Sequence, residues 1–134
     1  MTELISQLKK HGLRVTKPRK VVFELLRHTS HPLSLGEISK RCTDIDRSSV
    51  YRVVDTYIDI GVVKVVNIGW KKLYELTDLF HPHHHHFRCE KCERLMPIAD
   101  DDLEEAIESI SRRYGFKPST HHFEIEGVCD NCQP

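Results

Sequence analysis

No apolar run in this 134-residue chain approaches the roughly 18 residues that a membrane-spanning helix needs. No secretory apolar segment opens it either, because Lys9, Lys10 and His11 interrupt the first hydrophobic stretch. A cytoplasmic protein with no membrane partner is the expectation. Net charge is also missing: 20 Lys and Arg balance 20 Asp and Glu, so the whole-chain total points to no partner. What the chain does have is an apolar fraction of 39%, which suits a folded core and argues against disorder. Its length fits one ordinary domain or two small ones. Two would each be small enough to want a staple, such as a metal ion or a partner chain.

The neutral total conceals a division. Residues 1–72 hold 14 Lys and Arg against 7 Asp and Glu, a balance of +7, and residues 73–134 hold 6 against 13, a balance of −7. Seven of the ten histidines and four of the five cysteines fall in the second part. A basic half suits a polyanion, and the acidic half has a different task.

The cysteines point to that task. Cys89 and Cys92 form one Cys-x-x-Cys pair, and Cys129 and Cys132 form another. Without an export signal, disulfides are disfavoured. A two-residue spacer lets both sulfurs of a pair face one ion, so two pairs match tetrahedral zinc, Zn²⁺, held by four thiolates. A redox dithiol would account for one pair better than for two. A four-cysteine shell is closed and leaves no position for substrate, so it folds a domain rather than catalyses. Cys42 stands alone in a helical stretch and reads as a buried structural thiol.

The basic half reads as helices followed by a hairpin. Leu4, Ile5 and Leu8 recur at helical spacing up to a stop at Gly12. Thr16 can cap a second helix, with Pro18 in its first turn and Val21, Val22, Leu25 and Leu26 on its apolar face. Ser34 to Glu37 is a capping box that opens a third helix. Asp46 can cap a fourth, which carries Val50, Val53, Val54, Tyr57 and Ile58 on one stripe and stops at Gly61. Two β-rich runs, 62–68 and 72–77, flank Gly69 and Trp70. This order is that of a winged helix-turn-helix. The fourth helix leaves Arg47, Ser48, Ser49, Tyr51, Arg52 and Asp55 off its apolar stripe, most of them in the first two turns. A recognition helix enters the major groove with its N-terminal end, where such side chains reach bases. Arg52 can bond guanine bidentately, and Ser48 and Ser49 can meet bases or phosphates.

The run from Gly12 to Arg19, the Ser48–Arg52 segment, and His83–His86 followed by the two cysteine pairs resemble, in order, the motifs of the ferric uptake regulator family. The resemblance spans nearly the whole chain. It implies an α+β protein: a winged-helix DNA-binding domain over 1–77 and a small α/β dimerisation and metal-sensing domain over 78–134, stapled by the zinc site. It implies a homodimeric, metal-dependent repressor that binds double-stranded operator DNA and takes no small organic substrate. Tyr51 and Arg52 would then work in the major groove. Arg14 would reach a narrow A·T-rich minor groove, and Arg19 would bond phosphate.

On an extended strand neighbouring side chains point to opposite faces. His84 and His86 therefore share one face, and His83 and His85 share the other. By the resemblance, the first face joins His31 and Glu75 in a regulatory site for Zn²⁺, Fe²⁺ or Mn²⁺. The second face joins Glu104 and His121 in an auxiliary site. Two departures stand out. Pro97 occupies a position where many iron- and peroxide-sensing members place an acidic ligand, and the hinge lacks the cysteine common in zinc sensors. A three-histidine, one-glutamate set suits zinc, or another ion completed by water. A peroxide sensor that uses iron to oxidise a histidine ligand is the alternative within the family. Outside it stand two rivals. One is a metallohydrolase, which would need an open metal position and a general base, yet the chain has no His-Glu-x-x-His. The other is a winged-helix protein whose only metal is structural.

In the acidic half, Asp100 can cap a helix over 101–114 whose first turn carries Asp101, Asp102 and Glu104. Leu103, Ile107, Ile110 and Tyr114 are expected to face inward from it. Phe123 and Ile125 alternate with Glu124 and Glu126 as in a half-buried strand.

Overall fold

The computed structural model describes residues 1–134, which form two compact units, Met1–Pro82 and His83–Pro134. The first unit holds α1 (Thr2–Lys10), α2 (Lys17–Arg27), α3 (Leu35–Arg41), α4 (Arg47–Asp59) and the hairpin β1 (Val63–Ile68) and β2 (Lys71–Leu76). The second holds β3 (His85–Cys89), β4 (Leu95–Ile98), α5 (Asp101–Arg113) and β5 (Glu124–Gly127).

Side-chain caps set the starts of four of the five helices. Thr16 accepts the Arg19 N–H at the start of α2, and Asp46 accepts the Ser49 N–H at the start of α4. Ser34 and Glu37 close a reciprocal capping box on α3, and Asp100 accepts the N–H groups of Asp102 and Leu103 on α5. Each such oxygen satisfies amides that the helix itself leaves unpaired. Beyond α4 the chain reverses at Gly61, with φ +76°, and the Val62 N–H returns to the Tyr57 carbonyl at 2.8 Å. A glycine carries this left-handed turn without a Cβ penalty. The reversal launches β1, which pairs antiparallel with β2 from Val63↔Leu76 to Ile68↔Lys71.

One core serves the first unit. Leu4 and Leu8 of α1, Val22 and Phe23 of α2, Ile38 of α3, and Val50, Val54 and Tyr57 of α4 are fully buried together. The phenol of Tyr57 satisfies itself by donating to the Arg19 carbonyl at 2.6 Å, and burial pushes its pKa far up. The segment 79–82 adds Phe80, whose ring meets Phe23 edge to face at 5.0 Å. Cys42 is buried in this core, and desolvation raises its thiol pKa, as an inert structural thiol requires.

The second unit is a three-stranded sheet in the order β4-β3-β5 with one helix. β3 runs antiparallel to β4 and parallel to β5. The helix α5 lies where the sequence places it, but its stripe does not face a core of this chain: α5 has no buried residue, Ile110 is half exposed, and Tyr114 is 75% exposed. Phe87 pairs with Met96 on one side and Ile125 on the other, so three apolar side chains form an exposed row across the sheet. An amphipathic pattern reports that a face is to be covered, and it reads the same whether the cover is the same chain or another.

Candidate metal centres and nucleic-acid interface

The first cluster is built where β3 ends. Cys89 is its last residue, and the turn that follows carries Cys92 and a left-handed Glu93 at φ +63°. The second pair follows β5, which brings Cys129 beside Cys89. The four sulfurs lie within 4.8 Å of one another. The Sγ of Cys89 accepts N–H bonds from Cys129 at 3.4 Å and Cys92 at 3.5 Å. Those two donors draw the Cys89 thiol down to about 6, towards the thiolate form that binds metal. The thiol of Cys132 is pushed the other way by its hydrogen bond with Cys129 and by the other sulfurs of the cluster. Four convergent soft donors, one of them stabilised as thiolate by two backbone N–H groups, fit Zn²⁺.

The second cluster lies wholly inside the second unit. Glu104, on the first turn of α5, faces three histidines. Its Oε2 is 2.7 Å from His121 Nε2, and its Oε1 is 2.8 Å from His85 Nε2 and 3.4 Å from His83 Nε2. His83 Nε2 and His121 Nε2 are 3.0 Å apart. Donors bound at roughly 2.0–2.1 Å around a tetrahedral ion sit about 3.3 Å from each other, so the mutual spacing of His83, Glu104 and His121 suits one small divalent ion. Burial raises the Glu104 carboxyl, but the hydrogen bond from His85 and the charges of His121 and His83 outweigh it and leave the net shift downward. For His85 burial is the largest influence, and it lowers the ring's pKa against the pull of Glu104.

The other two histidines of the run, His84 and His86, stack edge to face with centroids 4.9 Å apart. The alternation expected of an extended strand thus divides the run as the sequence requires. Pro97 lies opposite His86 in the β3–β4 ladder, and its side chain offers no donor there.

Two further expected ligands belong to the first unit. Glu75, on β2, lies 3.6 Å from Lys64 Nζ, which also approaches Asp78 at 3.4 Å. His31 lies between α2 and α3, with its Nδ1 3.2 Å from the Pro32 carbonyl. A carbonyl only accepts, so Nδ1 holds the proton and Nε2 presents its lone pair, the arrangement of a ligating imidazole with its outer hydrogen bond in place.

The nucleic-acid face centres on α4. Arg47, Ser48 and Arg52 are exposed, and Tyr51 is half-buried. Arg47 Nε donates to the Tyr51 hydroxyl at 2.7 Å, and its guanidinium lies 5.3 Å from the ring centroid. Sequence reasoning placed Arg47 off the apolar stripe but gave it no role. Its i,i+4 spacing to Tyr51 was the available signal. Ser49 is already engaged: its hydroxyl donates to Asp46 at 2.6 Å and accepts from Arg52 at 3.2 Å. The Ser49 hydroxyl and amide hold the Asp46 carboxyl below its ordinary range. A chain from helix cap to Arg52 therefore orients the guanidinium at the N-terminal end of α4. From the first turn of α2, Arg19 donates to the Arg14 carbonyl at 2.6 Å and braces the preceding loop, from which the exposed Arg14 projects.

Residues 10–126 match the ferric uptake regulator family. The chain is 34% identical over 135 aligned positions to the ferric uptake regulation protein of Shigella flexneri, covering 96% of this chain and 90% of that one. It is 33% identical to the protein of that description from Legionella pneumophila, covering 95% and 96%. Among solved structures it is similar to the Vibrio cholerae ferric uptake regulator, with a TM-score of 0.75, 28% identity, and 93% and 98% of the two chains covered. It is also similar to the Helicobacter pylori ferric uptake regulator, whose structure is described as having three functional metal-binding sites (TM-score 0.80, 26% identity, 98% and 89% covered).

Proposed function

This chain belongs to the ferric uptake regulator family, and from that premise we propose that it is a metal-dependent, DNA-binding transcriptional repressor that works as a homodimer. It is not an enzyme. The observation that carries the reading is the division of one histidine run. His83 and His85 meet Glu104 inside the second unit, and that leaves His84 and His86 for a different ion. That ion takes His31 and Glu75 from the winged-helix unit as its remaining ligands. A site whose donors come from both units gains its full binding energy only in one arrangement of them, so metal shifts the population towards that arrangement. The donors of three imidazoles and one carboxylate favour zinc or another divalent ion completed by water.

The four-cysteine zinc staples the dimerisation unit. The row of Phe87, Met96 and Ile125, together with the exposed side of α5, supplies the apolar surface that a second copy would cover. DNA docking falls to the basic unit: Arg52, Tyr51 and Ser48 at the major groove, Arg14 at the minor groove, Arg19 and Ser49 as phosphate contacts or as braces for their neighbours.

The test uses DNA selected from a random pool by the metal-loaded protein. A mild chelator strips the weaker metal while the four-cysteine zinc, checked by metal analysis, stays bound. Affinity for the selected DNA is expected to fall. Unchanged affinity would sink the sensor reading and leave a winged-helix protein with structural metal only. Affinity should also drop with salt, with a log–log slope of about −0.9 per phosphate neutralised on duplex DNA.

Arg52→Ala tests the base contact. A bidentate pair to guanine is worth roughly 1–3 kcal/mol of discrimination, so the variant should lose preference at one base of each half-site. A loss equal for every sequence would make Arg52 a phosphate contact instead.

A further inference from the structure

The four members of the Glu104 cluster are not equivalent, and the difference lies in how each imidazole spends its single lone pair. A neutral imidazole carries a proton on one ring nitrogen and a lone pair on the other. The backbone N–H of Phe123, the residue just before β5, points at His85 Nδ1 at 3.2 Å. An amide N–H only donates, so Nδ1 of His85 must hold the lone pair. The proton is then on Nε2, and Nε2 faces Glu104 Oε1 at 2.8 Å as a hydrogen-bond donor. For Nε2 to bind a metal instead, Nδ1 would need the proton, and two N–H groups would then oppose each other at the 3.2 Å that now separates donor from acceptor. His31 shows the reverse arrangement in the same chain, with its Nδ1 on a carbonyl acceptor and Nε2 left to ligate.

We infer that His83, Glu104 and His121 bind the auxiliary metal directly, while His85 is a positioning residue that ties Glu104 to the start of β5 and leaves a fourth coordination position to water or a small anion. This rests on the reading of the cluster as a metal site. The ring of His85 is almost fully buried, whereas those of His83 and His121 are partly open to solvent. A buried strut and an accessible pair of ligands divide the work as second-layer and direct ligands do at other metal sites. Three donors with an open fourth position also differ in kind from the closed four-cysteine site.

The test reads the ring nitrogens of the full-length, unmodified chain by long-range proton–nitrogen NMR before and after saturation with Zn²⁺. The ring nitrogens of His83 and His121 are expected to shift on zinc addition. His85 is expected to keep its Nε2 proton, and an unprotonated Nδ1, in both states. If His83 and His121 shift and His85 also loses its Nε2 proton while Nδ1 gains one, His85 is a ligand and the inference is overturned, with the metal site intact. If none of the three rings responds to zinc, the metal reading of the cluster fails and the inference falls with it.

Discussion

Cys92→Ser is expected to unfold the second unit and leave the first folded. Apart from Cys89, the chain's buried apolar side chains all lie within residues 1–82. The sheet β4-β3-β5 and α5 therefore have almost no hydrophobic core of their own within one chain. What holds them within one chain is hydrogen bonding, the Glu104 cluster and the four sulfurs. Structural zinc sites in small domains contribute an apparent ~10–16 kcal/mol of binding near neutral pH. A whole domain is commonly stable by only about 5–15 kcal/mol. Even the share of that lost with one of four thiolates is therefore large against the unit's stability. Amide hydrogen exchange measures this directly. Protection in β3, β4, β5 and α5 should vanish in the variant, zinc content should fall by one ion per chain, and the dimer should dissociate. Protection in α2 and α4 should be unchanged. Retained protection in β3 and β5 without zinc would show that another interaction staples the unit.

The same contrast explains why the two halves were unequally legible. In the basic half α2, α3 and α4 announce their own starts through Thr16, Ser34 and Asp46, and the apolar stripes of all four helices meet within the same chain. Local chemistry and tertiary packing agree there, so the pattern suffices. The four cysteines were legible because a two-residue spacer has few other uses outside an oxidising compartment. In the acidic half the pattern predicts an inward-facing stripe of Leu103, Ile107, Ile110 and Tyr114, and the single chain leaves Leu103 and Ile107 half-buried and Ile110 and Tyr114 exposed. Periodicity identifies an apolar face and carries no information about which chain covers it.

The histidines mark the limit more finely. Strand alternation divides the run of four correctly from sequence, because it depends only on backbone geometry. The tautomer of His85 depends on an amide 38 residues away, at Phe123, and no local pattern encodes that. The engagement of Ser49 is intermediate. Its proximity to Asp46 was visible, since a cap and its third helical residue are always close. That its hydroxyl also receives Arg52 follows only from side-chain geometry. The charge division gains a meaning of the same kind. The acidic unit places carboxylates at a helix start and among the histidines of the Glu104 cluster, while the basic unit leaves Arg14, Arg47 and Arg52 exposed.

His84→Ala should uncouple metal from DNA without unfolding either unit. His84 precedes β3, is only partly buried, and lies outside both the four-cysteine and the Glu104 clusters. Its loss leaves three donors in the regulatory set, and the metal then has less preference for the DNA-competent arrangement. A ligand with equal affinity for two states shifts neither, however tightly it binds. Coupling between effector and ligand sites is typically about 1–3 kcal/mol, or roughly 5–150-fold in affinity. In the presence of metal, the variant should therefore bind selected DNA more weakly than the wild type, by up to about 5–150-fold, shifted towards the affinity of the chelated wild type. Without metal the two proteins should bind alike, and four-cysteine zinc content should match. Coupling is also reciprocal, so selected DNA should tighten regulatory metal binding by the same factor in the wild type and by a smaller one in the variant. Equal weakening with and without metal would mean that His84 supports the fold or the DNA face and is not a sensor ligand. His31→Ala should reproduce the uncoupling from the other unit. Because Nδ1 of His31 is already held by the Pro32 carbonyl, the variant removes a preset ligand rather than a mobile side chain.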